Sequence, residues 1–333
     1  MGEINFFRNR NSFLDYKSIL SRLLTDSNTK VSDAKLTICI TTYKRPQLLQ
    51  EAIRSALDQK TNLSFRIIVL DNDDDFSNME NLRMVNELSN NRIDYYKNEA
   101  NLGMIGNWNR CAELVETEYF SLLHDDDLLK ENYVNEVLGI ISKYPAIDGL
   151  CIETDSISSP TWEKGLLKNS KIENLKFQLR RISKRVLPRI IKFPLHANIL
   201  LGNIYGPPTC GMLFKRESFL ESGGFDPRFF PSADWLFMIF FDYHYNVLKY
   251  KNTLGTYRWI ENESLNFNTI EKFRDDRKKC ITAMKENFSI SRITAILFWP
   301  ILMDLIDSDY GGTFRRHYIF KVIQRIYVIF LRY

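Results

Sequence analysis

Between residues 36 and 123 the chain alternates short β-branched apolar runs with amphipathic stretches, and this limits the fold more than any other feature. Leu36-Thr37-Ile38-Cys39-Ile40 reads as a central strand. Pro46 then opens a helix whose apolar face includes Leu49, Ile53 and Leu57. Proline suits a first turn, where its missing N–H would have no partner anyway. Phe65 to Leu70 is the next strand and roughly Met79 to Leu88 the next helix. Ile93 to Tyr96 is a third strand, Gly106 to Val115 a helix, and Tyr119 to Leu123 a buried strand. Strands connected through helices run in the same direction, so the pattern predicts a Rossmann-like α/β sheet flanked by helices.

The last of these strands runs into His124-Asp125-Asp126-Asp127. In an open α/β sheet, ligands bind beyond the carboxyl ends of the strands. Three adjacent carboxylates repel one another unless a cation or solvent compensates. Their hard oxygens suit Mg²⁺ or Mn²⁺, the ions that hold nucleotide phosphates. In an extended backbone Asp125 and Asp127 face one way and Asp126 the other, so geometry alone does not choose the ligand. The plain alternative is a solvated loop, with Asp127 capping a helix that begins near Leu128.

Composition narrows the class. The chain has 333 residues, 44% of them hydrophobic, enough for one large domain or two smaller ones. Its five cysteines are scattered, odd in number and without a CxxC, which points to buried small side chains in a reducing compartment rather than to disulfides or zinc. The N-terminus lacks the apolar core of a signal peptide, and Ile293 to Met303 falls far short of a membrane span. The expectation is a cytoplasmic protein, free or attached to the inner face of the plasma membrane.

The flanks read differently from the middle. Phe13, Tyr16, Leu20, Leu23 and Leu24 recur at helical spacing, so residues 1–34 are expected to form a helical preface. Residues 163–192 carry ten Lys/Arg against two Glu. That basic amphipathic insertion is either a solvated face or a contact for an anionic membrane surface or acceptor, and no nucleic-acid motif accompanies it. Residues 269–333 read as a helical C-terminal extension, ending in a stripe of Ile319, Val322, Ile323, Ile326, Tyr327 and Phe330.

Five motifs in order give the middle a family likeness. These are Ile38 to Pro46, Ile68-Val69-Leu70-Asp71-Asn72, Asn101-Leu102-Gly103, Leu123 to Asp127, and Gly223-Gly224-Phe225-Asp226 with Ala233-Asp234-Trp235-Leu236. Together, over roughly residues 36 to 265, they resemble glycosyltransferase family 2, whose members have the GT-A fold. The resemblance implies an inverting, metal-dependent transfer of sugar from a nucleotide-diphosphate sugar to a hydroxyl of a glycan acceptor. It implies Asp126 as the metal carboxylate with Asp127 assisting, and Asp125 near the ribose or the metal. Thr42, Tyr43, Asp71, Asn72 and Asp73 would line the nucleotide pocket, and Arg258 would meet the pyrophosphate. Asp234 would be the catalytic base, with an N-cap for the following helix as its plain alternative. The cofactor would be Mg²⁺ or Mn²⁺. The partners would be a nucleotide sugar, UDP-linked by default, and a glycan or lipid-linked glycan of a bacterial surface polysaccharide.

The transferase domain on this basis spans residues 35–268, with a nucleotide-sugar half at about 35–150 and an acceptor half at about 195–268. The chain departs from the family pattern at three places. His124 stands where many members carry the first acid of a DxD, Ala233 replaces an acid before the base, and Ile260 or Glu261 replaces a late histidine. These departures keep open a non-catalytic nucleotide-sugar-binding or scaffold module. A nucleotidyltransferase fits less well, because Thr41 to Pro46 lacks the glycines that cradle a triphosphate.

Overall fold

The computed structural model describes residues 9–27, 33–88, 92–158, 190–191 and 209–259, together with scattered helical positions between 269 and 283. The strands are β1 (Ser21–Thr25), β2 (Leu36–Thr42), β3 (Arg66–Asp71), β4 (Ile93–Asn98), β5 (Tyr119–His124), β6 (Leu128–Leu129), β7 (Gly149–Ser158), β8 (Ile190–Ile191), β9 (Met212–Lys215) and β10 (Val247–Trp259). The helices are α1 (Pro46–Leu57), α2 (Glu80–Glu87), α3 (Gly103–Leu114), α4 (Tyr133–Lys143), α5 (Arg216–Glu221) and α6 (Ala233–His244).

All described strands belong to one sheet ordered β1-β4-β3-β2-β5-β9-β7-β10-β6, with β8 alongside β10. The β4-β3-β2-β5 block is parallel, as the alternation predicts. Antiparallel β9 then joins β5 to β7, so the sheet as a whole is mixed. Its central strands are buried on both faces. Leu36, Ile38 and Ile40 pack toward α1 and α4, while Cys39 faces the opposite core with Trp108, Phe214, Phe225 and Phe237.

Three expectations are corrected. The preface is not a helix: Ser12–Tyr16 is a short 3-10 turn, and β1 pairs antiparallel with β4, Ser21 opposite Asn98 and Leu23 opposite Tyr96. β4 would otherwise present an open edge, and pairing satisfies its backbone groups. Leu20 and Leu23 stay exposed, so their spacing does not mark a buried helical face. No helix begins near Leu128 either; the chain forms β6 against β10, and α4 starts at Tyr133. Asp127 therefore caps nothing there. Helix α3 starts a turn early, at Gly103, whose φ of +68° suits glycine and whose N–H donates to Asn101 Oδ1 at 2.8 Å.

Among the described residues no helix is long and apolar enough to cross a membrane. The basic insertion, apart from residues 190–191, and the C-terminal stripe lie outside the described residues.

Candidate active site

The site forms where β2, β3 and β5 end side by side. Thr41 lies opposite His124, and Thr42 opposite Asp71. Backbone pairing continues past the strand ends: the Asp125 N–H donates to Thr41 O at 3.1 Å and the Asn72 N–H to Thr42 O at 3.0 Å. Three loops that are distant in sequence are thereby locked together. Thr42 Oγ1 donates to Asp125 Oδ2 at 2.8 Å, which joins two of the expected site residues directly. The next residues stand out of the sheet. Tyr43 is 45% exposed, and Lys44 adopts φ +56°, an uncommon region for a side chain other than glycine's. The Lys44 ammonium sits over the Tyr43 ring, 5.2 Å from its centroid.

The acids are buried, and each has a different environment. Asp125 is pushed up to about 6 by desolvation, against the pull of Thr42. Asp127 is pushed up to about 8, by desolvation first and by the Asp126 charge second, while the Arg258 amide and the Cys210 thiol act the other way. Asp127 Oδ1 accepts the Arg258 N–H at 3.2 Å, but its Oδ2 is buried with no hydrogen-bond partner. Arg45 places Nη1 3.5 Å from Asp125 Oδ1 and 3.3 Å from Asp126 Oδ2. His124, Asp126 and Asp127 each offer one ligand atom within 4.8 Å of one another. A buried carboxylate oxygen without a donor is expensive, so this donor set fits a divalent cation. Burial lowers the His124 pKa, so the imidazole is a neutral donor.

The β3 end is engaged by its own surroundings. Asp71 accepts from the Asp73 N–H, Asn81 and Tyr95. Asn72 Oδ1 accepts from Asn98 and the Leu102 N–H, and its amide donates to Asn101 Oδ1 and Gly103 O. Asp73 accepts from Asn78 and the Asp75 N–H and lies 3.5 Å from the Lys44 ammonium. Buried Lys97 lies 3.8 Å and 3.9 Å from Asp71 and Asp73. These side chains hold the loop's shape, while Tyr43, Lys44, Asp74 and Asp75 stay exposed.

Arg258 lies within β10 and is buried. It donates to the Asp126 carbonyl and pairs with Glu51 of α1. It therefore braces the acidic turn from behind. Ile260 and Glu261, which stand where the family pattern has a late histidine, fall outside the described residues.

Asp234 sits in the first turn of α6, one residue inside the helix; the N-cap position belongs to Ser232. The Trp235 N–H donates to Asp234 Oδ1 at 2.7 Å. Asp226 is the residue that caps, holding the 3-10 turn at Pro227–Phe229. An aromatic chain ties α6 to the acids. Phe237 meets Phe225 at 4.5 Å, Phe225 meets Trp108 at 5.6 Å, and Trp108 stacks on His124 at 4.7 Å. Asn109 clamps Phe225, donating to its carbonyl and accepting its N–H, both at 2.8 Å. A cleft of about 400 Å³ opens beside this turn, lined by Tyr16, Leu102, Met104, Ile105, Pro227 and Phe230.

Sequence reasoning did not single out Arg45, Glu51, Trp108, Asn109 or Thr209. Arg45 lay inside a motif already quoted, and Trp108 on a stretch read only as a helix. Glu51 carries no signal in its neighbourhood, because its partner is 207 residues away.

Comparison with known proteins agrees with the fold. The family model described as glycosyl transferase family 2 matches residues 37–223, more than half of the chain. A Campylobacter jejuni protein named GalNAc(5)-diNAcBac-PP-undecaprenol beta-1,3-glucosyltransferase is 29% identical over 156 residues, covering 45% of this chain and 49% of that protein. An uncharacterized Mycobacterium tuberculosis protein is 24% identical over 220 residues, 63% of this chain and 64% of that one. The chain thus matches about half to two thirds of the length of these curated relatives. S. aureus TarS, residues 1–349 in complex with UDP-GlcNAc, superposes with a TM-score of 0.54 at 15% identity over 78% of this chain and 68% of that one. The mannosyltransferase PcManGT of Pyrobaculum calidifontis, in complex with GDP-Man and Mn²⁺, gives 0.50 at 10% identity over 96% and 86%. At these identities the structures establish the likeness of fold, a GT-A arrangement.

Proposed function

This chain belongs to glycosyl transferase family 2, and we propose that it is a glycosyltransferase that moves sugar from a nucleotide-diphosphate sugar to a glycan hydroxyl with inversion and with the help of a divalent cation. The observation that carries this reading is the buried Asp127 oxygen without a hydrogen bond, among three carboxylates that follow the end of β5 in the parallel block of the sheet. Asp126 and Asp127 would hold Mg²⁺ or Mn²⁺, which when bound neutralises the charge on the departing diphosphate.

The remaining roles belong to the chain. Tyr43, exposed at the strand end, would stack on the nucleobase. Thr42 orients Asp125, which would accept from the ribose. Asp71, Asn72 and Asp73 would shape the base pocket through the loop they hold. Arg258 would act by fixing the acidic turn. Asp234 would accept the proton of the acceptor hydroxyl as its oxygen attacks the anomeric carbon opposite the leaving diphosphate. The apolar cleft beside Phe230, four residues before Asp234, supports an acceptor that presents apolar surface there. The C. jejuni relative is named for a polyprenol-linked glycan. That name supports a lipid-linked acceptor; surface polysaccharide synthesis at the inner face of the membrane is the setting proposed with it. The catalytic unit in this reading is 35–268, with β1 completing its sheet.

Arg45 favours a second reading. Its guanidinium already faces Asp125 and Asp126. It could meet the diphosphate itself, making the reaction independent of metal.

Calorimetry with UDP, dTDP and GDP, each with Mn²⁺, Mg²⁺ or EDTA, separates the two. Binding of one nucleotide that needs metal and disappears in Asp126→Ala supports the first reading. Equal binding in EDTA supports the second. No binding by folded protein removes both and returns the non-catalytic module. Asp234→Asn should leave that binding intact and slow transfer about 10²–10⁴-fold.

A further inference from the structure

His124 is the clearest departure from the acidic motif, and the roles assigned above leave it unused. Its ring is held on two sides. It stacks on Trp108 with an interplanar angle of 10°, and Nε2 lies 3.3 Å from Thr209 Oγ1. When Nε2–H donates to that hydroxyl, Nδ1 carries the lone pair. Nδ1 faces Asp127 Oδ2 at 3.6 Å, too far for a hydrogen bond. No donor reaches that oxygen in hydrogen-bond geometry among the described residues, and its residue has 0% exposure. A half-buried imidazole nitrogen thus faces a buried carboxylate oxygen. Their separation lies between the about 3 Å of cis donors and the about 4.2 Å of trans donors that bonds near 2.1 Å give, so one ion can be shared between them. Asp126 completes the group, with all three donors inside 4.8 Å.

We propose that His124 Nδ1 is a third ligand of the cation held by Asp126 and Asp127, and that it selects first-row transition ions such as Mn²⁺ over Mg²⁺. This rests on the metal-dependent reading above. Mg²⁺ takes oxygen ligands in near-ideal octahedral geometry, whereas imidazole nitrogen suits transition ions. Trp108 and Thr209 then act as positioning residues, fixing the ring plane and the tautomer.

Pulsed electron paramagnetic resonance on full-length protein with Mn²⁺ and the nucleotide it binds reads the ligand directly. The expected spectrum shows coupling to a directly bound ¹⁴N, converted to ¹⁵N coupling when the four histidines are isotopically labelled. His124→Asp should still bind Mn²⁺, lose that coupling and cut the Mn²⁺-to-Mg²⁺ affinity ratio about tenfold or more. The labelling experiment needs no variant, so it stands even if His124→Asp fails to fold. Mn²⁺ that binds, is released in Asp126→Ala and shows no nitrogen coupling overturns the proposal while leaving the metal-dependent reading intact. Coupling that persists in folded His124→Asp overturns it too. Absence of any Mn²⁺ binding removes both.

Discussion

Asp127 is the most deeply buried of the three adjacent acids, with 0% exposure against 5% for Asp125 and 8% for Asp126. Its position at about 8, above the ordinary 3.8, means that the folded chain holds this proton more tightly than the unfolded chain does. The stability it contributes is complete below the ordinary carboxylate value and is lost as the pH rises through about 8. Asp125, at about 6, adds to the same trend lower down. Removing the charge should therefore help the metal-free protein. Asp127→Asn in EDTA is expected to melt about 2 °C or more above wild type at pH 8, with a smaller difference at pH 5. Mn²⁺ should raise the melting point of wild type and leave the variant unchanged. A variant that melts lower in EDTA and still gains from Mn²⁺ would show that the cation sits elsewhere.

At the scale of elements, the acceptor side depends on one helix gripping one turn. Asn109 of α3 uses its whole amide to pair the N–H and C=O of Phe225, and Phe225 supports both Trp108 and Phe237. The turn needs its glycines because space and conformation both exclude a side chain. Gly224 has φ +73°, and a Cβ there would lie 2.7 Å from Asn109 Oδ1. Asn109→Ala leaves two buried backbone groups unsatisfied, and about 2–3 kcal/mol of stability should be lost, read from urea midpoints. A loss under about 0.5 kcal/mol would mean that Asn9 and Ser12, which also bond this turn, suffice to hold it. The turn was legible as a Gly-Gly pair. Its clamp was not, because Asn109 and Phe225 are 116 residues apart and nothing local to either one announces the other.

For the whole molecule, the N-terminal segment closes the structure twice. β1 covers the edge of β4, and Asn9 and Ser12 bond to the Gly223 region across the sheet. A chain beginning at Asp33 should expose β4 as an unpaired edge. The expected result is concentration-dependent self-association in size-exclusion chromatography, together with a lower melting point. A monodisperse truncated protein of unchanged stability would show the edge to be protected without β1. The order of strands and helices from Leu36 to Leu123, Pro46 at a helix start and the acids at a strand end were all decided locally. Apolar period and turn chemistry act over a few residues and can be read from them. The family likeness came from the same local motifs taken in order. Partners were decided by folding. The strand at residues 21–25 needed an open edge to pair with, and Arg258 and Glu51 needed the sheet to bring β10 over α1. His124 needed Trp108 and Thr209 on either side before its Nδ1 could face a buried carboxylate. Such contacts join segments separated by tens to hundreds of residues, and only the packed sheet places them within bonding distance.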